Sequence, residues 1–141
     1  MERSTFKGNP ERISFSIQWR AANPPADAVT DCVLPQGAAG YVVPAGYRFH
    51  PAALFAVSNA ALTAGTADFN ITADGVELSL GSAQLNDAVQ TVSRVFGFDA
   101  EPINAGVVIG TSITTSAGYL PITADHNIVV IGELVAENYR G

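Results

Sequence analysis

The sequence predicts an all-β protein in which two antiparallel sheets, with about eight strands in total, pack into a sandwich. Three observations support this prediction. Segments in which apolar and polar residues alternate recur at intervals of about 8–12 residues. Proline and glycine lie between these segments, where turns are expected. No window repeats apolar residues at the three- and four-residue spacing that is typical of an amphipathic helix.

The first strand is predicted over residues 12–20. There Ile13, Phe15, Ile17 and Trp19 alternate with polar residues. A period of two is that of a strand with one buried face, so Trp19 is expected in the core. The preceding residues are polar and end in an Asn-Pro pair, which indicates an extended arm. We therefore divide the chain into an N-terminal arm, residues 1–11, and a single β-sandwich domain, residues 12–141.

Four short strands are predicted next, each bounded by proline or small residues. Pro44 and Gly46 fit the second and fourth positions of a tight turn. Pro51 is expected to separate the last two strands, because proline cannot donate a hydrogen bond within a sheet. The four predicted strands cover residues 29–34, 41–43, 47–50 and 54–58.

The strongest local pattern is a hairpin over residues 68–80. Asp74-Gly75 is a preferred pair for a two-residue type I′ turn, because both positions need a positive φ. The apolar residues on either side of this turn fall on one face when they are paired around it. The turn would pair Ala73 with Val76, Ile71 with Leu78, and Phe69 with Leu80.

Three strands complete the set, over residues 89–96, 107–115 and 128–135. The last of them carries apolar residues on both faces, and residues 107–109 repeat the feature. A sandwich strand needs only its inner face to be apolar, so another protein surface is expected to cover the outer face. This pattern predicts an obligate oligomer. The residues expected at its interface are Val108, Val129, Ile131 and Val135.

The low proportion of charged residues also favours an oligomer. Charged residues make up 14% of the chain, against about 25% in typical soluble domains, which suggests that part of the surface is covered by other subunits. The net charge of −6 and the scattered arginines argue against nucleic-acid binding. No apolar stretch approaches the ~20 residues of a membrane span. The first residues lack the apolar segment of a secretory signal.

Residues with reactive side chains show no catalytic or cofactor-binding pattern, so neither an enzyme nor a cofactor or metal site is expected. His50 and His126 lack the His-x-His spacing of a metal site in a β-barrel and are expected in loops or at the surface. Cys32 lies among apolar residues and is expected to be a small buried side chain. Tyr119 precedes Pro121 in a loop and is the aromatic side chain expected to be exposed, where it could stack on a sugar ring.

Two stretches resemble a known group of proteins. One begins with Val-Pro-Ala-Gly-Tyr at residues 43–47 and continues through residues 58–67 into the Asp-Gly hairpin. The other covers residues 113–125 and runs into the last strand. Together they are similar to jelly-roll β-sandwich modules of bacteriophage virion proteins, especially capsid decoration (cement) proteins and fibre heads. The resemblance covers roughly residues 40–136 and consists of loop sequences rather than catalytic residues.

The resemblance implies a jelly-roll-like sandwich, a homotrimer and a structural role in a virion. A decoration protein would bind the major capsid protein or other virion proteins at the capsid surface, after synthesis in the host cytoplasm. The alternative is a carbohydrate-binding or receptor-binding module of a phage fibre. Basic residues flank an aromatic residue in and beside the N-terminal arm, so the arm is expected to lie on an acidic neighbouring surface. The residues expected to bind this partner are Arg3, Phe6, Lys7 and Arg12.

Overall fold

The computed structural model describes residues 12–38, 40–86, 88–97 and 100–138. Within these ranges the chain forms ten strands, and no helix there is long and apolar enough to cross a bilayer. The predicted arm, residues 1–11, lies outside the described residues. The strands are β1 (Arg12–Ala22), β2 (Val29–Asp31), β3 (Tyr41–Val42), β4 (Tyr47–Ser58), β5 (Ala67–Ala73), β6 (Val76–Glu77), β7 (Ala83–Leu85), β8 (Thr91–Val95), β9 (Val108–Thr115) and β10 (Asp125–Ala136).

The strands form two antiparallel sheets. One has four strands in the order β1-β10-β4-β8. The other has six strands: its path is β2-β9-β5-β6, while β3 also pairs with β9 and β7 also pairs with β5. If β2 with β3, and β6 with β7, are each counted as one interrupted strand, each sheet has four strands. Their order is that of a jelly roll, a double-sheet fold built from two Greek keys. The predicted fold class is confirmed.

The core lies between the two sheets and is built from alternate residues of each long strand. In β1, Ile17 and Trp19 are buried while Gln18 and Arg20 are exposed, so the prediction that Trp19 belongs to the core is confirmed. The remaining long strands of both sheets also contribute alternate side chains to the core. Large side chains in the centre of the core include Phe49, Leu54, Phe69, Ile71, Ile109, Ile113, Ile128 and Val130.

The predicted hairpin forms at its turn but not along its whole length. Asp74 and Gly75 have φ values of 51° and 83°, as a type I′ turn requires. The ladder pairs Ala73 with Val76, as predicted. The backbone N–H of Leu78 still donates to the carbonyl oxygen of Ile71 at 2.9 Å, as the predicted pairing requires, and the second strand leaves the ladder only beyond Leu78. Phe69 therefore pairs with Ala83 of β7 and not with Leu80, which corrects the predicted register at that end.

Pro51 does not separate two strands, which is a second correction. β4 is continuous from Tyr47 to Ser58. Its register against β10 shifts at Pro51, because Ile131 pairs with Ala53 while Gly132 pairs with Pro51. Ala52 is thus the extra residue of a β-bulge, one of the few places in a sheet where proline is tolerated. The bulge keeps the strand in the sheet and bends it.

The preceding turn also differs from the prediction by one residue. The backbone N–H of Tyr47 donates to the carbonyl oxygen of Pro44 at 3.2 Å. Gly46 is therefore the third residue of the turn and has a φ of 86°. A type II turn needs a positive φ at that position, which glycine adopts without strain.

Gly132 sits beside the bulge, where the core leaves no space for a side chain. A Cβ atom built on Gly132 would collide with the ring of Phe49 and lie 2.5 Å from the carbonyl oxygen of His50. The Phe49 ring in turn contacts Phe15 of β1, with ring centroids 5.5 Å apart. A glycine in the central strand thus lets one aromatic ring pack directly against the backbone.

Candidate protein–protein interface

The outer face of the four-stranded sheet carries exposed apolar side chains from three neighbouring strands. Across the sheet, Val129 of β10 pairs with Phe55 of β4, and Ile131 lies in the row formed by Ala53 and Val95. The exposed fractions are 75% for Val95, 48% for Val57, 40% for Phe55 and 38% for Ile131. We call Phe55, Val57, Val95, Val129 and Ile131 the outer patch.

The outer face of the six-stranded sheet is different in character. Along β9 its outward positions after Val108 are Gly110, Ser112 and Thr114. On the neighbouring strands, the amide of Gln84 donates to Asp68 at 2.7 Å, and the hydroxyl of Ser112 donates to Glu77 at 3.4 Å. Most of this outer face is thus polar, as expected of a sandwich sheet in water. Its exposed valines, Val29 and Val42, lie on the short strands β2 and β3, so a cluster of exposed apolar side chains across neighbouring long strands is a property of the four-stranded sheet.

The structure brings together only part of the predicted interface. Val129 and Ile131 lie in the outer patch. Val135 is on the same face of β10, but it is only 8% exposed. Val108 belongs to the other sheet, whose outer face points away from that of β10. After Val108 the outward positions of β9 are small or polar, so the apolar feature noted for residues 107–109 does not continue along the strand.

Sequence reasoning missed three members of the outer patch, namely Phe55, Val57 and Val95. A signal for the first two was present, since residues 53–57 are apolar at every position. That is the pattern of a strand covered on both faces. The predicted break at Pro51 made the segment look like a short strand at the edge. In the fold β4 is an interior strand, paired with both β10 and β8.

Next to the outer patch is a groove of about 580 Å³ that contains charged side chains. We call it the arginine groove, and we define it by Arg12, Arg48, His50, Ile131, Glu133 and Val135. Ile131 belongs to both surfaces, so the groove continues the outer patch along β10. The sheet register places these side chains in two adjacent rows that run across β1, β10 and β4. One row is Arg12–Val135–Arg48, and the other is Ser14–Glu133–His50.

Glu133 lies in the middle of these rows. The guanidinium of Arg12 forms an ion pair with it, and the hydroxyl of Ser14 donates to it at 3.4 Å. Burial lowers the pKa of His50, and the positive charges of Arg48 and Arg12 lower it further, against the opposing effect of Glu133. The groove therefore holds His50 in its neutral form near neutral pH and is electrically positive through its two arginines.

The predicted partner-binding residues can be placed only in part. Arg3, Phe6 and Lys7 lie outside the described residues. Arg12 is the first residue of β1 and pairs with Glu133 on the adjacent strand. The one described member of the predicted set is thus held in the wall of the arginine groove.

His126 and Tyr119 are not at the surface, which corrects two predictions. Both side chains are buried, with the phenolic oxygen of Tyr119 at 2.7 Å from Nε2 of His126. The His126 ring also contacts the ring of Phe69 edge-on, with centroids 5.5 Å apart. Burial lowers the pKa of His126, while nearby Asp125 acts in the opposite direction. Because Tyr119 is covered by the fold, it cannot stack on a sugar ring.

The remaining candidate for chemistry is Cys32, which is buried. Burial is the main cause that raises its pKa to about 11. The thiol is therefore protonated at neutral pH and packs as a small apolar group, as predicted. Among the described residues, no group of three or more His, Cys, Asp or Glu side chains is arranged to hold a metal ion.

Comparisons with known proteins find a likeness among solved structures but none among sequences. No protein-family model matches the chain, and no curated protein matches its sequence. Among solved structures, it is similar to a chain in the structure of Nora virus, with 15% sequence identity and a TM-score of 0.45. The alignment covers 99% of this chain and 67% of that chain. The assignment of the fold rests on the strand order of this chain itself.

Proposed function

We propose that this chain is a non-enzymatic structural protein of a virion, which acts by binding other proteins. More specifically, we propose a capsid decoration (cement) protein that binds the major capsid protein or other virion proteins at the capsid surface, after synthesis in the host cytoplasm. The observation that carries this proposal is the outer patch. It is a cluster of five apolar side chains, four of them more than a third exposed, on the outer face of a sheet whose inner face already forms the core.

The apolar character of the outer patch explains why it indicates a protein partner. Burying a side chain of the size of Val, Ile or Phe contributes about 1.5–3 kcal/mol. Soluble monomers rarely leave a contiguous apolar surface of this kind exposed, and such surfaces mark sites of protein interaction. The low proportion of charged residues, 14% of the chain, fits a protein whose surface is partly covered.

We assign the outer patch to self-association, with a homotrimer as the proposed assembly. In this arrangement Val129 lies at the centre of the contact, Ile131 lies at its edge beside the arginine groove, and Val135 is at its rim. The N-terminal arm, through Arg3, Phe6 and Lys7, is then available to attach the assembly to the capsid. Basic residues around an aromatic anchor suit an acidic partner surface.

The carbohydrate-binding alternative has lost its best candidate for a stacking side chain. Tyr119 was the aromatic side chain expected to stack on sugar rings, and it is buried. No observation on the described surface favours a glycan over a protein partner.

Two exposed valines provide a matched test of self-association. Val95 lies in the outer patch and is 75% exposed, while Val29 lies on the six-stranded sheet and is 64% exposed. Light scattering after gel filtration should give the unmodified chain the mass of a trimer. Val95→Asp and Ile131→Asp should dissociate this assembly or make it aggregate, and Val29→Asp should leave it intact. A stable monomer of the unmodified chain at micromolar concentration would refute the assignment.

Attachment to the capsid is tested separately by sedimentation. Empty shells assembled from the major capsid protein of the same virus are mixed with the purified chain and pelleted. The proposal requires the chain to pellet with the shells and to raise the temperature at which they disassemble. A chain that stays in the supernatant at concentrations well above those of a typical weak complex, about 100 µM, would rule out a decoration role.

A further inference from the structure

The arginine groove holds a guanidinium nitrogen that is buried without a hydrogen-bond partner. This atom is Nε of Arg48, and none of the described residues accepts a hydrogen bond from it. A buried donor of a charged group that is left unsatisfied is costly, and native structures rarely keep one without a reason. Nε itself is out of reach of solvent, so a ligand in the groove would engage the outer guanidinium nitrogens of Arg48, for which no described residue supplies a carboxylate.

The charges of the groove show what kind of group would complete it. Its described lining contains two arginines, Arg12 and Arg48, but one carboxylate, Glu133. Arg12 and Ser14 already engage that carboxylate. The uncompensated charge is therefore positive and centred on Arg48, in a chain whose net charge is −6. A planar carboxylate is the natural partner of a guanidinium, since it can accept two parallel hydrogen bonds.

The rest of the lining is apolar and identifies the remainder of the partner. Pro51, Ala52, Phe96 and Ile131 border the same groove. A site that combines an arginine with apolar walls suits a peptide in which an acidic residue is next to an apolar one. A nucleic-acid phosphate would not use the apolar walls, and the groove has too few cations to follow a phosphate backbone.

A second copy of this chain does not supply such a carboxylate from the surface that self-association would present. On the outer face of the four-stranded sheet, the described acidic residues are Asp125 and Glu133. The backbone N–H of Asn23 donates to Asp125 at 3.1 Å, and Arg12 engages Glu133. Both are thus already committed within their own chain. The described outer face of a second copy therefore offers no free carboxylate, which favours a different protein as the occupant.

We propose that the arginine groove binds an extended acidic segment of the capsid partner, with a carboxylate on Arg48 and an adjacent apolar side chain against Ile131 and Phe96. This inference rests on the proposed function and adds the chemistry of the partner. The groove adjoins the outer patch through Ile131, so an assembled oligomer would present its grooves at the rim of the subunit contact. Each groove would then hold one segment of the shell.

The test uses a fluorescent hexapeptide in which leucine and aspartate alternate, capped at both ends. Its binding to the full chain is followed by fluorescence anisotropy at low salt. Arg48→Gln should weaken binding by about five-fold or more, because the charge-assisted bonds are lost. The matched control is Arg20→Gln. Arg20 is an exposed arginine of β1 that lies on the same outer face of the four-stranded sheet as Arg48, but at the other end of the sheet. This variant should bind as the unmodified chain does.

Two further arms keep the result interpretable if Arg48→Gln folds poorly. Glu133→Gln removes the negative charge of the groove's described lining, which repels an acidic peptide, and should strengthen binding, which a folding defect would not do. A hexapeptide with asparagine in place of aspartate should bind about five-fold more weakly than the acidic one. Absence of binding by the unmodified chain up to about 1 mM peptide would overturn the proposal. Equal binding by Arg48→Gln and Arg20→Gln would do the same.

The outcome of the peptide-binding experiment is independent of the outcome of the experiment with shells. If the chain pellets with shells but does not bind the acidic peptide, the groove assignment fails and the decoration role stands. If the acidic peptide binds at Arg48 but the shells do not, the groove is a peptide site and the decoration role fails.

Discussion

The phenolic oxygen of Tyr119 and Nε2 of His126 are 2.7 Å apart inside the sandwich, where both side chains are buried. Nδ1 of the same imidazole has no hydrogen-bond partner among the described residues. Tyr119 thus provides the one described polar contact of the ring. This contact joins Tyr119, in the loop after β9, to His126 on the inner face of β10.

Replacing Tyr119 with phenylalanine should lower the free energy of unfolding. The variant keeps the ring but leaves the buried imidazole without its hydrogen bond, which costs about 1–3 kcal/mol. Urea denaturation monitored by circular dichroism measures the change. Tyr41→Phe is the control, because the Tyr41 hydroxyl belongs to a half-buried ring packed on Phe15, and its loss should cost less. Equal effects of the two substitutions would show that the Tyr119–His126 contact does not stabilise the fold.

Stability should fall as the pH is lowered below about 6.5, the pKa of histidine in an unfolded chain. Burial lowers the pKa of His126 in the folded protein. Below about 6.5 the unfolded state therefore binds more protons than the folded state, and the free energy of unfolding decreases by up to about 1.4 kcal/mol per pH unit for each such group. His126→Gln should reduce this dependence between about pH 7.5 and pH 5.

The second histidine provides the comparison for this pH experiment. Burial also lowers the pKa of His50, but His50 is half-buried and opens onto the arginine groove. His50→Gln should therefore change the pH dependence less than His126→Gln does. Thermal unfolding at a series of pH values gives both slopes. An unchanged slope in His126→Gln would mean that this imidazole is not the group that titrates.

Gly132→Ala should destabilise the fold by about 1–3 kcal/mol, the cost of forcing a methyl group into a filled core. The new Cβ would meet the Phe49 ring and the carbonyl oxygen of His50. Gly118→Ala is the matched control, because a Cβ there would have no atom within 4 Å. Denaturation midpoints of the two variants should differ clearly, and similar midpoints would contradict the packing described beside the bulge.

Deletion of residues 2–10 separates attachment from folding. If the N-terminal arm attaches the assembly to the capsid, the deletion should leave the melting temperature nearly unchanged, because β1 begins at Arg12. It should weaken sedimentation with shells, since Arg3, Phe6 and Lys7 are removed. Undiminished sedimentation of the shortened chain would exclude the arm as an attachment segment.

Patterns that depend on neighbouring residues were predictable from the sequence. The period of two in β1 places Trp19 in the core, and the Asp74-Gly75 pair forms the expected turn. In both places the local preference and the burial pattern agree. The apolar outward positions Val129 and Ile131 of β10 were also visible in the sequence, and they lead to the outer patch.

Features that depend on distant parts of the chain were not predictable in this way. Pro51 would break an isolated strand, but the facing Gly132 and the extra residue Ala52 let β4 continue through a bulge. Tyr119 belongs to a loop, yet this loop folds inward onto His126. Arg48, His50 and Glu133 come to line one groove only through the register of β4 and β10. Each case is decided by a partner that the local sequence does not contain.

The position of β10 in its sheet has a consequence for synthesis on the ribosome. The last strand lies between β1 and β4, and the pair formed by Arg12 and Glu133 joins residues 121 positions apart. Until β10 emerges, the four-stranded sheet lacks its interior strand, and the nascent chain exposes two open strand edges. Such edges are prone to pair with other chains. The four-stranded sheet can therefore be completed only after β10 has been synthesised, and contacts of such long sequence separation usually form slowly.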